Sequence, residues 1–244
     1  MHRFFIPHPT GYEVNQQLTF PDETAHQLVH VLRLRAGNRV VVLDDAGGLY
    51  EVTLTAVSRH RVTGQILTRR PAQGEPSVKI TLYQSLTRRE KFEWVLQKGT
   101  EVGVVRFVPI VTQRSLVQET AVKPQKLARW QKIATEAAEQ SHRGVVPTVS
   151  QPLLFQDALQ AAQQHDLRLI ASVTESESLH LLLSRHSNIR QIGLFIGPEG
   201  GFSEDEVENG RHHNAIPISL GSRVLRTETA AIVASANIIF QCDA

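Results

Sequence analysis

Two loop segments hold the residue types most suited to chemistry: Leu194-Phe-Ile-Gly-Pro-Glu-Gly-Gly-Phe202 and Leu220-Gly-Ser-Arg-Val-Leu-Arg-Thr-Glu-Thr-Ala230. Each follows an apolar run and leads into a helical pattern. The first offers Ile196, Gly197, Pro198, Glu199, Gly200 and Gly201, and the second Leu220, Gly221, Ser222, Val224 and Leu225, with Arg226 and Glu228 just beyond. Glycine permits backbone conformations closed to other residues and lets a ligand approach main-chain amides. Side by side, two such loops form a binding crevice.

The charge around the first loop says what that crevice favours. Gly197-Pro-Glu-Gly-Gly201 matches neither G-x-G-x-x-G nor G-x-x-x-x-G-K-[ST]. The helix after it opens Ser203-Glu-Asp-Glu206, a capping box, so a phosphate would meet Glu199, Glu204, Asp205 and Glu206. These acids suit a neutral or cationic ligand, such as the sulfonium of S-adenosylmethionine, and they equally complement a helix dipole. His26 and His30 share a helical face, but Gln27 stands where H-E-x-x-H needs glutamate and no third ligand is evident, so no metal is expected.

The elements that position these loops follow from periodicity. Runs at Ile80–Tyr83, Val105–Val111, Leu167–Val173, Ile192–Ile196 and Ile216–Leu220 read as buried strands with helical patterns between them, which implies a parallel α/β sheet. One helix aligns Phe92, Val95, Leu96, Gly99 and Val102; another starts at Pro124 and aligns Leu127, Trp130, Ala134, Ala137 and Ala138. Before about residue 70 the pattern is β-rich, with strands at Val40–Leu43, Tyr50–Val57 and Val62–Leu67, a hairpin turn at Asp45–Gly48 and one helix capped by Asp22. Arg70-Pro-Ala-Gln-Gly-Glu-Pro-Ser77 reads as a linker, dividing residues 1–72 from 73–244. The last helix, Thr227–Phe240, is apolar nearly all round, and a second subunit is the expected cover.

Composition bounds the rest. The 244 residues are 41% apolar and 20% charged, with a net charge of +2, which describes a globular chain and does not by itself establish a nucleic-acid partner. No apolar stretch approaches a membrane span, the start lacks a signal core, and the single Cys242 cannot form an internal disulfide; a cytoplasmic location is expected.

Ile196-Gly-Pro-Glu-Gly-Gly-Phe-Ser203 together with Leu220–Ala230 resembles the RsmE family of SPOUT-class methyltransferases, which modify N3 of a uridine in small-subunit (16S) ribosomal RNA. Further matches are Glu90-Lys91, Gln97–Gly103, Gln113–Ser115, Trp130–Ile133, Glu139–Ser141, Arg143 and Pro147. Arg3–Ile6 and His30–Gly37 resemble the family's small PUA-like β domain, while Ser222 departs from a frequent proline. The resemblance implies a trefoil-knotted C-terminal domain (knot about 170–240) and a cofactor site built from Ser172, Thr174 and the two loops, while the apolar last helix makes a homodimer through this domain the expectation. The assembled small subunit is the expected substrate, with naked 16S rRNA as the open alternative.

Methylation at N3 demands alignment and loss of the N3 proton. Arg226 is expected to orient the base and stabilise charge on its carbonyl oxygens, and Glu228 is the nearest candidate proton acceptor; ion pairing and dipole compensation are their competing roles. RNA is expected to meet Arg3, His30, Arg33 and Arg35 from the small domain and Arg88, Arg89, Lys91, Lys98, Arg114 and Arg143 from the large one. The rivals are a ribose 2′-O-methyltransferase and a catalytically silent RNA-binding or assembly factor.

Overall fold

A computed structural model of the chain describes residues 1–8, 11–59, 61–174, 177–185 and 189–243, except for the side chain of Arg89. The chain divides into two compact units: Met1–Glu75 with Ala138–Val146, and Pro76–Ala137 with Pro147–Ala244.

The smaller unit is a five-stranded sheet. Its strands are β1 (Arg3–Phe5), β2 (Gln17–Thr19), β3 (Arg39–Leu43), β4 (Gly48–Val57) and β5 (Val62–Pro71), in the order β1-β3-β4-β5-β2. The three long strands are those the Val-, Leu- and Thr-rich runs predict; β1 and β2, three residues each, are too short to show a period. Phe4, Val40, Val42, Tyr50, Val52, Leu54 and Ile66 fill the core. The helix α1 (Asp22–His26) has Asp22 as its first helical residue rather than its cap; the cap position is Pro21, which makes no side-chain cap bond. It widens into a π-helical turn, Gln27–Val31, closed by Leu32 N–H donating to Gln27 O at 2.9 Å.

The linker prediction misses a long-range pairing. Glu75 accepts from Arg143 Nε at 3.2 Å and Nη2 at 2.6 Å, and also from the amides of Gly144 and Val145. This draws 138–146 into the small unit. Arg143 is only 2% exposed, so the expectation that it meets RNA is corrected: its guanidinium is spent inside the protein.

The larger unit is an α/β sheet in which every strand pairing is parallel. Its elements are β6 (Lys79–Ser85), α2 (Arg89–Val102), β7 (Arg106–Val111), α3 (Pro124–Gln140, whose end belongs to the small unit), β8 (Thr148–Val149), β9 (Leu153–Leu154) and α4 (Phe155–Ala161). They continue with β10 (Leu167–Ala171), α5 (Leu179–Ser184), β11 (Gln191–Ile196), α6 (Glu204–His212), β12 (Ile216–Ile218) and α7 (Thr227–Cys242). The order is β12-β10-β11-β6-β7-β8, with β9 also on β7.

Alternate residues of the strands face opposite sides. Ile80, Leu82, Leu194 and Ile196 pack against Phe92 and Leu96 of α2, Trp130 of α3, Leu182 of α5 and Ala231 and Ala234 of α7. Tyr83, Phe195 and Ile170 pack against Phe155 and Leu159 of α4. On this second side the Tyr83 hydroxyl meets His165 Nε2 at 3.1 Å. Burial pushes the Tyr83 phenol up to about 12, and burial, with the charges of Arg168 and Arg106, lowers the His165 imidazole. Helix α7 is covered on part of its circumference by α2, α5, β6 and β11; Phe240 stays 79% exposed. Among the described residues no helix is long and apolar enough to cross a membrane.

Candidate active site

Because the sheet is parallel, the loops after β6, β7, β10, β11 and β12 all emerge at the carboxyl edge, the usual place for a ligand site in such a sheet. The two glycine loops of the sequence therefore meet there, joined by Ser172–Thr174 after β10. Hydrogen bonds tie the segment after β10 to the segment after β12. Ser172 N–H donates to Ile218 O at 2.9 Å, its hydroxyl lies 3.0 Å from that of Thr174, and Ser219 N–H donates to Glu177 O at 2.8 Å.

The tie between the β11 loop and α7 is a buried relay that no periodicity marks. Thr227 Oγ1 donates to Gly197 O at 2.5 Å and accepts from Gln84 Nε2 at 3.0 Å. It fixes the first turn of α7, with Arg226 at its N-cap, against the loop. Gly197 is needed for close packing inside that loop, since a Cβ would lie 3.1 Å from Phe202 N. Gly221 has φ +111° and open space where a Cβ would stand, so it serves the turn.

The acidic surroundings are less free than their sequence implies. Ser203 Oγ accepts from Glu206 N–H at 3.2 Å and Glu206 Oε2 accepts from Ser203 N–H at 2.9 Å, completing the capping box, while Glu206 Oε1 accepts from Gln113 N–H at 2.8 Å. Lys91 Nζ donates to Glu199 Oε1 at 2.9 Å and lies 3.7 Å from Glu228 Oε2. Burial opposes the charge of Glu199, but the Lys91 hydrogen bond, with the charges of Lys91 and Arg88, outweighs it and holds this carboxyl below the usual range. Glu204 and Asp205 remain exposed.

Three of the predicted RNA contacts converge. Arg88, Lys91 and Arg114, with Leu116, Glu199 and Gly200, line a cavity of about 310 Å³ beside the β11 loop. Arg114 Nη1 donates to Gly200 O at 2.8 Å and Phe202 O at 3.4 Å. A buried hydroxyl cluster sets the turn that carries Arg114 and Leu116: Ser115 Oγ lies 2.8 Å from both Ser85 Oγ and Thr112 Oγ1 and accepts from Thr112 N–H at 2.9 Å. Sequence reasoning missed Gln84, Ser85, Thr112 and Thr227, and named Leu116 nowhere; polar residues directly after apolar runs, where a strand reaches the carboxyl edge, are the signal that marks the first three.

The other predicted contacts do not line this cavity. Lys98 pairs with Glu101 at 2.7 Å on the same helix. His30, Arg33 and Arg35 are exposed on the small unit, and Arg3, half-buried there, reaches His142 O at 3.5 Å. The Arg89 side chain lies outside the described residues. Arg226 is exposed and, among the described residues, pairs with no carboxylate, while Glu228 faces Lys91. The rings of His26 and His30 lie 4.7 Å apart, tilted by 42°, and no group of three metal-ligating side chains occurs among the described residues.

A parallel sheet with its loops gathered at one edge, in a chain that also carries a separate small β unit, defines a class: an RNA methyltransferase domain matches residues 74–239 and an RNA methyltransferase PUA domain matches residues 20–67. The ribosomal RNA small subunit methyltransferase E of Bacillus subtilis (strain 168) is 33% identical over 100% of this chain and 98% of its own length, and that of Synechocystis is 34% identical over 92% and 73%. The crystal structure of the Neisseria gonorrhoeae ribosomal RNA small subunit methyltransferase E bound to S-adenosyl methionine superposes with a TM-score of 0.89 at 31% identity, covering 98% of this chain and 96% of that one. The methyltransferase Lpg2936 of Legionella pneumophila, in complex with the same cofactor, gives 0.87 at 30% identity, covering 97% and 96%. The chain belongs to the ribosomal RNA small subunit methyltransferase E family.

The edge loops fit that cofactor. Leu220 and Leu225 are half-buried apolar residues, and among the described residues no hydrogen bond within the chain engages the amides of Ser222 to Leu225, which leaves main-chain donors for an adenine. Two open-faced glycines, Gly201 and Gly221, leave room beside them.

Proposed function

We propose that this protein transfers a methyl group from S-adenosylmethionine to N3 of a uridine in 16S ribosomal RNA, acting in the cytoplasm on the assembled small subunit. The observation that carries this reading is the convergence of the three strand-end loops, locked to α7 through Thr227, at one edge of a parallel sheet. Leu220, Gly221, Ser222, Val224 and Leu225 hold the adenine through main-chain groups and apolar contact. Gly197 to Gly201, with Ile196 and Ser172 to Thr174, flank the ribose and methionine part. When bound, the cofactor supplies an electrophilic methyl group on a sulfonium.

The protein's part is alignment and charge. Arg226, exposed at the N-cap of α7, orients the uridine or its phosphate. Glu228 is the carboxylate that sequence marks as proton acceptor, yet its buried Oε2 faces the Lys91 ammonium, and we assign it to anchoring Lys91. Glu228→Gln is then expected to keep a rate within about tenfold of wild type, where loss of a general base costs on the order of 10²–10⁴. Exposed His30, Arg33 and Arg35 of the PUA-type unit supply phosphate contacts. The exposed Phe240 and half-buried Ile232, Val233 and Ile239 of α7 suit a homodimer contact in this domain.

The experiment is transfer of labelled methyl from S-adenosylmethionine to small subunits lacking the modification, with mass spectrometry to place it. N3-methyluridine is the expected product. Methylated ribose supports the 2′-O rival, and RNA binding without transfer supports the silent factor.

A further inference from the structure

N3 lies on the pairing edge of uracil, so an enzyme that alkylates it must act on a base that is unpaired and out of its stack. Such a base needs a receptacle next to the methyl donor. The cavity lined by Arg88, Lys91, Arg114, Leu116, Glu199 and Gly200 adjoins the β11 loop, and at about 310 Å³ it sits at the small end of small-molecule sites, suited to one base and not to a dinucleotide.

Its walls have the chemistry of an extruded pyrimidine. Leu116 is 64% exposed at the rim and offers an apolar surface to a ring face, and guanidinium planes do the same with charge. The charges do not balance. Lys91 is offset by Glu199 at 2.9 Å and Glu228 at 3.7 Å. Arg114 donates to two neutral carbonyls, Gly200 O and Phe202 O, and so keeps its positive charge uncompensated. Arg88 is exposed and near enough for its charge to be felt at Glu199, the only carboxylate among the described residues of the lining, which is already bonded to Lys91.

We infer that this cavity receives the acceptor uracil and that Arg88, helped by Arg114, is the catalytic cation that stabilises the base as its N3 proton departs. This rests on the function proposed above. The N3–H bond breaks and its proton passes to water at the open side of the cavity, leaving negative charge spread over N3 and the two carbonyl oxygens beside the guanidinium groups. The N3 electron pair then forms the N3–CH3 bond as the S–CH3 bond breaks, its electrons staying on sulfur as a neutral thioether. No carboxylate base is needed, in keeping with Glu199 and Glu228 both being turned to Lys91.

The test is single-turnover methyl transfer at saturating S-adenosylmethionine, as a function of pH, to the RNA substrate that wild type methylates. Arg88→Ala is expected to slow transfer about 10²-fold near neutrality, with the deficit shrinking as pH rises and solvent removes the proton unaided. Arg88→Lys should recover most of the rate, and calorimetry should find S-adenosylmethionine affinity within about twofold of wild type for both, since no Arg88 contact to the cofactor is invoked. Leu116→Ser should raise KM for RNA several-fold with kcat little changed. A wild-type rate in Arg88→Ala, a deficit constant with pH, or a parallel loss of cofactor affinity overturns the inference. Absence of N3 methylation by the wild-type protein would instead overturn the function on which it rests.

Discussion

Replacing Thr227 by valine tests whether the hydroxyl relay holds the site together. The threonine is 4% exposed, and valine matches its shape, so no cavity or overpacking is introduced. What is lost is one buried donor and acceptor. Gly197 O loses its partner at 2.5 Å, and Gln84 Nε2 loses one of two, keeping Ser85 O at 3.2 Å. An orphaned buried polar group costs about 1–3 kcal/mol, and the retained Gln84 bond limits the second loss, so a destabilisation of about 2 kcal/mol is expected. That is roughly a 30-fold shift in the unfolding equilibrium. Urea denaturation should show a lower midpoint with an unchanged slope, and calorimetry should show weaker S-adenosylmethionine binding because the β11 loop is no longer tied to α7. Thr227→Ser keeps the hydroxyl and should lose clearly less. A loss below about 0.5 kcal/mol for valine, or equal losses for valine and serine, refutes the relay.

Two further outcomes follow from buried charge. Arg143→Ala leaves Glu75 without its guanidinium and should cost about 3 kcal/mol by urea denaturation while leaving cofactor affinity unchanged; a loss under about 1 kcal/mol would mean that the pair does not hold 138–146 in the small unit. His165 is buried against Tyr83, and burial followed by the charges of Arg168 and Arg106 depresses its folded pKa below the ordinary 6.5. The unfolded chain therefore takes up the proton first: stability from this group is fully present above about pH 6.5 and falls as pH drops below it toward the folded value. Stability measured by urea at about pH 7.5 and pH 5 should fall more for wild type than for His165→Gln, and equal falls would exclude this group.

The parts of the fold that repeat were legible in the sequence. The apolar runs of β6, β7, β10 and β11 announce a buried parallel sheet, and Pro124 announces α3 to the residue. What escaped were elements that depend on distant partners. The strands β1 and β8 have no period to show, and Arg143 looks like a surface cation until Glu75, 68 residues away, is placed beside it. The site divides the same way. Its glycine loops were visible because glycine is a local signal, whereas the relay Gln84–Thr227–Gly197 spans 143 residues and exists only once the sheet has formed. The acidity that directs the ligand was readable in composition but overstated, because the sequence cannot tell that Lys91 and Gln113 engage two of those carboxylates.

The two-part makeup of the small unit constrains how it is made and handled. Its sheet takes a carboxylate from Glu139 to the amide of Phe5 at 3.0 Å and another from Asp45 to the amide of Val146 at 2.7 Å, both across a gap in sequence that holds β6, α2, β7 and most of α3. On a ribosome, this first-encoded unit would wait for the middle of the chain before closing. Cut from the gene at residue 75, it would emerge with its seam open, so RNA-binding measurements on that fragment would report on an unfinished object.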